Sequence, residues 1–306
     1  MTTRAPLRIG TRRSKLALAQ ANEVVGRLAA LGVETELVPM VTSGDRGVAA
    51  AASPGGVKGL FVAEIVGALL RGEVDLAVHS AKDLPSEDEP GVMVGAIPER
   101  ADPFDVLVTR DGELPPGAVV GTSSLRRRAQ LLRSRPAITV SDLRGNVDTR
   151  LRKLEAGEVD GLVLAAAGLA RLGVQAPHAL PLPLEEMVPA PGQGALAVQA
   201  REDDGSTRDL LSEIDHERSR VAFEAERLVM AGLGGGCALP LGAYAERRKT
   251  GVRVLAVVVR PDGSDLVWAQ AEAPEPGEVA DEVVRILREG GADHILREVR
   301  NGTEAR

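Results

Sequence analysis

Leu233-Gly234-Gly235-Gly236-Cys237-Ala238-Leu239-Pro240 holds the only cysteine of the 306-residue chain, directly behind three glycines. A lone thiol cannot close a disulfide within its own chain. Glycines remove side-chain bulk and open backbone angles closed to other residues, so a large group can approach the sulfur. A thiolate is a strong nucleophile and suits a permanent carbon–sulfur bond. The competing reading is a small buried hydrophobe that follows a flexible turn. This segment alone leaves both open.

Four further segments combine residues that bind anions or move protons. Gly10-Thr11-Arg12-Arg13-Ser14-Lys15-Leu16-Ala17 runs from a strand end into a helix N-terminus, whose free N–H groups and positive dipole suit an anion. A capped helix with solvated arginines is the alternative. His79-Ser80-Ala81-Lys82-Asp83-Leu84-Pro85 follows a strand, at the edge where open α/β sheets collect ligands. Lys82 and Asp83 there form a charge pair or an acid/base couple, unless the segment is a plain polar loop. Gly121-Thr122-Ser123-Ser124-Leu125-Arg126-Arg127-Arg128 repeats strand, turn and helix with hydroxyls and an arginine run, an anion cradle rather than a solvated face. Leu143-Arg144-Gly145-Asn146-Val147-Asp148-Thr149-Arg150 sets Arg144 and Arg150 on either side of a helix start, and Arg171 ends a further helix that joins them.

Other chemistries fail on inspection. Gly55-Gly56-Val57-Lys58-Gly59 lacks the Lys-Ser/Thr ending of a phosphate-binding loop. His79, His178, His216 and His294 show no metal spacing, so no metal is expected. No Gly-x-Ser-x-Gly elbow is present. A net charge of −7 argues against a general nucleic-acid binder, and the basic runs are not interleaved with aromatics. Of 37 basic residues 5 are lysine, leaving 32 arginines, and the planar arginine fork grips carboxylates as lysine cannot. A GC-rich genome accounts for much of that bias, so position carries more weight than number. No run of about 20 apolar residues predicts a membrane span. The start of the chain lacks a signal-peptide apolar region, so a cytoplasmic protein is expected.

The elements that must position these groups follow from the apolar spacing. Strands are predicted at Leu7–Thr11, Val33–Val41, Asp75–His79 and Val92–Ile97, with helices from Ser14 through Ala30 and over Phe61–Leu70. Val48–Val57 reads as a loop, and Pro98–Pro103 as a crossing between domains. A second α/β region has strands at Asp105–Thr109, Val119–Gly121, Ile138–Ser141 and Gly161–Ala165. Its helices run from Ser123 or Ser124 through Leu132, over Val147–Leu154 and over Ala166–Leu172. The proline-punctuated run Pro177–Pro191 returns the chain, and a strand at Ala195–Gln199 rejoins the first domain. Helices over Thr207–Ile214 and from Asp215 to Ala231 then lead to the cysteine loop. Strands near Ala243, over Val252–Val259 and over Leu266–Ala271, with a hairpin at Pro261-Asp262-Gly263, and two last helices complete a small α+β unit. The alternation predicts mainly parallel sheets in the first two domains. No internal sequence repeat is seen. The expected domains are 1–97 with 195–214, 98–194, and 215–306.

Together these stretches resemble the hydroxymethylbilane synthase, or porphobilinogen deaminase, family. The likeness rests on Thr11-Arg12-x-Ser14, Val41-Thr42-Ser43-Gly44-Asp45, Lys58-Gly59-Leu60-Phe61, His79-Ser80-x-Lys82-Asp83, Gly121 to Arg127, Leu143 to Leu151, Pro191-Gly192-Gln193-Gly194 and Gly235-Gly236-Cys237, in the family's order. It implies two periplasmic-binding-protein-like (type II) α/β domains with a cleft between them, plus the α+β C-terminal domain. It also implies an activity: four porphobilinogen molecules joined head to tail with release of ammonia, then hydrolysis to the linear tetrapyrrole hydroxymethylbilane for heme biosynthesis. By the same resemblance Cys237 holds a dipyrromethane cofactor through a thioether, and Asp83 is the catalytic carboxylate. Lys82, Ser124, Arg126, Arg127 and Arg150 hold the cofactor. Arg12, Ser14, Arg144, Arg150 and Arg171 grip substrate or the growing chain, and Lys58 and Phe61 end a loop over the cleft. A monomer that passes its product to uroporphyrinogen-III synthase is further implied, without nucleic-acid or membrane partners.

The chain departs from the family pattern in three places. Val57 stands where a glycine is common, Lys15 follows Ser14 where a proline is usual, and Phe104 occupies a frequent arginine position. The runner-up reading is a non-catalytic carboxylate-binding protein of the two-domain solute-receptor type, since fold alone does not fix function.

Overall fold

A computed structural model describes residues 5–42, 56–176, 178–235 and 239–304. The first sheet is built from β1 (Leu7–Arg12), β2 (Thr35–Met40), β3 (Leu76–Ser80) and β4 (Val92–Ala96), joined by β10 (Leu196–Arg201) in the order β2-β1-β3-β10-β4. The second is built from β5 (Asp105–Thr109), β6 (Val119–Gly121), β7 (Thr139–Ser141), β8 (Gly161–Ala165) and β9 (Ala179–Pro181), in the order β7-β6-β8-β5-β9. Both follow one plan. Three strands run parallel, an antiparallel strand lies beside the third, and a fifth closes the edge. In each sheet the antiparallel strand is the one by which the chain arrives from the other sheet. This is the periplasmic-binding-protein-like type II arrangement, used twice.

Each sheet is therefore mainly parallel, as expected, but mixed: four of its five strands point one way, and β10 or β5 runs against them. A chain that crosses between sheets is not held to the right-handed crossover that makes neighbouring strands parallel. Alternation of strand and helix in the sequence does not reveal where such a crossing falls. β9 was hidden for a related reason: three residues among prolines carry no strand period.

Helices flank both sheets. α1 (Lys15–Ala30) is capped by Ser14, whose Oγ accepts from Ala17 N at 3.2 Å, and it buries Ala17, Ala21, Val24 and Leu28. α2 (Gly56–Leu70) begins at Gly56, so the last two residues of the expected loop are helical, while 43–55 lie outside the described residues. Two glycines in Gly56-Val57-Lys58-Gly59 each cost about 1 kcal/mol of helix propensity, which made that start read as loop. Burial of Val62, Ile65, Val66 and Leu69 carries the helix instead. α3 (Leu125–Ser134) takes Ser124 as its cap, and α4 (Val147–Glu155), α5 (Ala166–Arg171) and α6 (Gly205–Ser212) follow.

α7 (Glu217–Gly232) leads into the third unit, an antiparallel sheet of β11 (Leu241–Arg247), β12 (Val252–Val259) and β13 (Leu266–Ala273). One face of that sheet packs on α7, α8 (Pro276–Glu289) and α9 (Ala292–Glu304), with Val252, Val254, Ala256 and Val258 alternating into the core. Aromatics make up 2% of the chain, so aliphatic side chains fill these cores. Among the described residues no helix is long and apolar enough to cross a membrane.

Candidate active site

β3 ends in a short 3-10 turn, Ala81–Asp83, which lifts Lys82 and Asp83 to the carboxyl edge of the first sheet. Behind them Gln20 of α1 and Ser80 exchange hydrogen bonds at 2.7 and 3.1 Å, fixing helix to strand. His79 lies buried just before the turn. Burial, the largest influence, drives its pKa down to about 4; the Asp83 carboxylate pulls it back up, and Arg12 pushes it down again. Asp83 and Arg12 therefore lie within electrostatic reach of one neutral imidazole.

The turn is braced from two directions. Arg227 of α7 donates to the Pro85 carbonyl at 3.1 and 3.2 Å and to Asp88 at 2.9 and 3.0 Å. Gly192 (φ 71°) presses on it from the other side, where an added Cβ would lie 3.0 Å from Lys82 N, so only glycine serves there. Cys237 itself lies outside the described residues. Its approach does not: a Cβ on Gly235 would lie 2.5 Å from Ser86 Oγ, so the glycine run reaches the segment that follows Asp83.

A second cluster grows from Asp105, the first residue of β5, which is fully buried. Arg127 Nη2 donates to its Oδ1 at 2.7 Å, and Arg126 Nη2 pairs with Oδ2 at 2.8 Å. Gln193 Nε2 also donates to Oδ1 at 3.0 Å, while its Oε1 accepts from Lys82 Nζ at 3.4 Å. Burial opposes the carboxylate's charge, but Arg126, Arg127 and Lys82 outweigh it and hold the pKa at about 2. Ser124 turns its Oγ to Arg127 N as a helix cap. Lys82 of the first sheet and the arginines of the second are thus joined through one glutamine and one aspartate.

Arg150 adds another cation. Its Nε donates to the Gly145 carbonyl at 2.8 Å. Its pKa is lowered by burial first and by Arg127 second, with Asp142 opposing. Arg144 is exposed and pairs with Asp142 at 3.3 Å. Arg12 ends β1, and Ser14 is occupied as the cap of α1. Arg171 is engaged with Glu23 and the Gly194 carbonyl, both at 3.0 Å. Lys58 and Phe61 fall within α2, and their side chains are outside the described set.

Arg126, Arg127 and Lys82 surround Asp105, and Arg150 lies under the influence of both Arg127 and Asp142. Guanidinium and ammonium groups gathered in this way suit an anion with several charges. An oligopyrrole bearing acetate and propionate arms fits that donor set. Among the described residues no group of His, Cys, Asp and Glu is arranged to hold a metal ion.

The residues that tie this site together were not singled out by sequence. Asp105 reads only as the first residue of a strand, and Gln193 enters only within the motif Pro191-Gly192-Gln193-Gly194. The available signal was charge at an apolar position: a carboxylate leading Val-Leu-Val must have a buried partner. Phe104, beside it, stacks on Tyr244 with ring centroids 5.4 Å apart, so the departure there supplies an aromatic contact to the third unit.

Fold and site define a two-lobed α/β protein in which Lys82 of one lobe meets the arginines of the other through Gln193 and Asp105, next to Asp83. Residues 7–209 match the family model described as porphobilinogen deaminase, dipyromethane cofactor binding domain, and residues 221–289 match the porphobilinogen deaminase C-terminal domain. The porphobilinogen deaminase of Brevibacillus brevis is 46% identical over 299 residues, covering 95% of this chain and 97% of that one. That of Geobacillus kaustophilus is 45% identical over 302 residues, covering 95% and 97%. A nutrient binding protein from Burkholderia cenocepacia bound to methionine is similar at 14% identity, with a TM-score of 0.42 over 67% of this chain and 90% of that one. The chain belongs to the porphobilinogen deaminase family.

Proposed function

We propose that Asp83 is the catalytic carboxylate of this chain and that Cys237 carries its cofactor. As a member of the family the chain is a transferase of porphyrin and heme biosynthesis. It condenses four porphobilinogen molecules head to tail with loss of ammonia, then hydrolyses the product to hydroxymethylbilane. The dipyrromethane, held through a cysteine thioether, supplies the ring carbon to which the first unit is joined. Cys237 is the only cysteine of the chain, and Gly235, shortly before it, lies against Ser86, shortly after Asp83.

Each addition breaks the substrate's C–N bond, with the electron pair leaving on ammonia, and forms a C–C bond as the receiving ring gives up its α-proton. The methylene pyrrole left by ammonia is a cation. Asp83 stabilises that charge and accepts from the pyrrole N–H groups. His79 stays neutral beneath it and adds no opposing charge. Lys82, Ser124, Arg126, Arg127 and Arg150 hold the cofactor's carboxylates, while Arg12, Ser14, Arg144, Arg150 and Arg171 receive those of incoming units. Lys58 and Phe61, residues of α2, take the part that the family resemblance gives them.

The observation that carries this reading is the gathering of Lys82, Arg126 and Arg127 around Asp105. Both lobes contribute to it, so a ligand charge bridges them. The same reading takes the chain as a cytoplasmic monomer whose product passes to uroporphyrinogen-III synthase. It divides the chain into 1–97 with 195–214, 98–194, and 215–306, a division supported by sheet membership. Replacing Asp83 by Asn tests the assignment. Ammonia release should fall about 10²- to 10⁴-fold while circular dichroism and melting stay native. Wild-type turnover by that variant would remove Asp83 from the mechanism.

A further inference from the structure

Arg171 receives a substrate carboxylate in the reading above, yet its guanidinium already holds one. Its Nε donates to Glu23 Oε2 at 3.0 Å, and its Nη2 to the Gly194 carbonyl at 3.0 Å. Glu23 lies on α1 beside the first sheet, and Arg171 ends α5 beside the second. The pair therefore bridges the two lobes. The Arg171 side chain is 9% exposed and that of Glu23 29%, so the contact is shielded. The other ion pair between these lobes on α1, Lys15 with Asp148 at 3.9 Å, is largely solvated at 78% and 45% exposure. Exposed pairs of that kind contribute about 0–1 kcal/mol.

We propose that Glu23 is a displaceable counter-ion for Arg171. It holds the guanidinium until a carboxylate arm of the growing chain replaces it, so that filling the cleft and loosening α1 from α5 become one event. This rests on the assignment of Arg171 to substrate. The glutamate and the pyrrole's acetate and propionate arms are chemically one class, so the exchange leaves Arg171 paired throughout. That matters because stripping a partly buried charge of its partner is far costlier than swapping partners. Glu23 also has somewhere to go. Arg27, one turn along α1, already donates to its Oε1 at 3.4 Å, and the buried Arg27 Nε has no hydrogen-bond partner. Glu23 acts through Arg171 and touches no reacting atom, which makes it a positioning residue.

A competitor that occupies a binding group most of the time weakens apparent affinity by the fraction of sites it leaves open. Glu23→Gln keeps the size and an acceptor oxygen but removes the charge. Steady-state kinetics of the loaded enzyme should show the KM for porphobilinogen lowered about three- to tenfold, with kcat within about twofold. Intact-mass spectra at limiting substrate should shift toward longer tethered chains, and Glu23→Asp should return KM toward the wild-type value. Arg27→Gln, which denies the released glutamate its second partner, should raise KM instead. An unchanged or raised KM in Glu23→Gln, with an unaltered mass ladder, would overturn the proposal and leave Glu23 a structural clasp. A wild-type enzyme that shows no ladder at all is a different failure: it strikes the functional reading itself.

Discussion

Glu226 Oε1 accepts from Arg100 Nη1 at 2.7 Å, and the carboxylate has no solvent exposure. The same group accepts from Gly192 N at 2.6 Å and Ala245 N at 2.8 Å, while Arg100 Nε donates to the Gln193 carbonyl at 2.8 Å. Arg100 lies on the crossing from the first sheet to the second, Gly192 on the return, and Ala245 on the third sheet. One buried ion pair therefore sets the joint at which all three units meet. Removing one partner of such a pair typically costs about 3–5 kcal/mol, because the other charge stays buried. Glu226→Gln should lose stability of that order in urea titration, and a loss under about 1 kcal/mol would contradict this account of the joint.

Asp105 should make the fold acid-sensitive in a defined window. Its pKa when folded is about 2, below the ordinary 3.8, so the stability it contributes is present above the ordinary value. That stability is lost as pH falls through about 2. Asp105→Asn should be less stable than wild type at neutral pH, yet its melting temperature should fall less between pH 4 and pH 2. Parallel melting curves for the two proteins over that range would show Asp105 is not the group that titrates.

His79 should act in a higher window. Its folded pKa of about 4 lies below the ordinary 6.5, so the unfolded chain binds a proton that the folded one refuses. Stability therefore rises with pH between those values, by roughly 3 kcal/mol at most. Its Nε2 is buried without a hydrogen-bond partner, and the pull of Asp83 and Gln199 toward the charged form does not offset burial. His79→Gln should flatten the melting profile between pH 4 and pH 6.5. A slope equal to wild type would assign the effect elsewhere.

Arg144 and Arg150 should separate loading from elongation. Arg150 is partly buried against Arg127, whereas Arg144 is exposed beyond it. Arg150→Leu should reduce the fraction of enzyme carrying cofactor, while Arg144→Leu should load normally and stall with short chains attached. Mass spectra of both variants after a porphobilinogen pulse distinguish the two, and identical ladders would remove the distinction.

Much of the site was legible because anion chemistry leaves local marks. Ser14 and Ser124 stand where helix caps belong, and both cap. Lys82-Asp83 and the arginine run after Gly121 stand at strand ends, where side chains reach the cleft. What sequence hides is pairing over distance. Arg100 and Glu226 are 126 residues apart, and Lys82 and Gln193 are 111 apart, so no local period links them. Strand direction is hidden likewise: β5 and β10 read as ordinary strands, and only the crossing between lobes makes them antiparallel. The start of α2 was missed because packing there overrides poor helix propensity.

The mass of the intact, freshly purified protein tests the central claim most directly. The account predicts a mass above that of the polypeptide by one thioether-linked dipyrromethane, with the increment absent from Cys237→Ser. A wild-type mass equal to the bare chain, or an increment that survives the loss of Cys237, would contradict it.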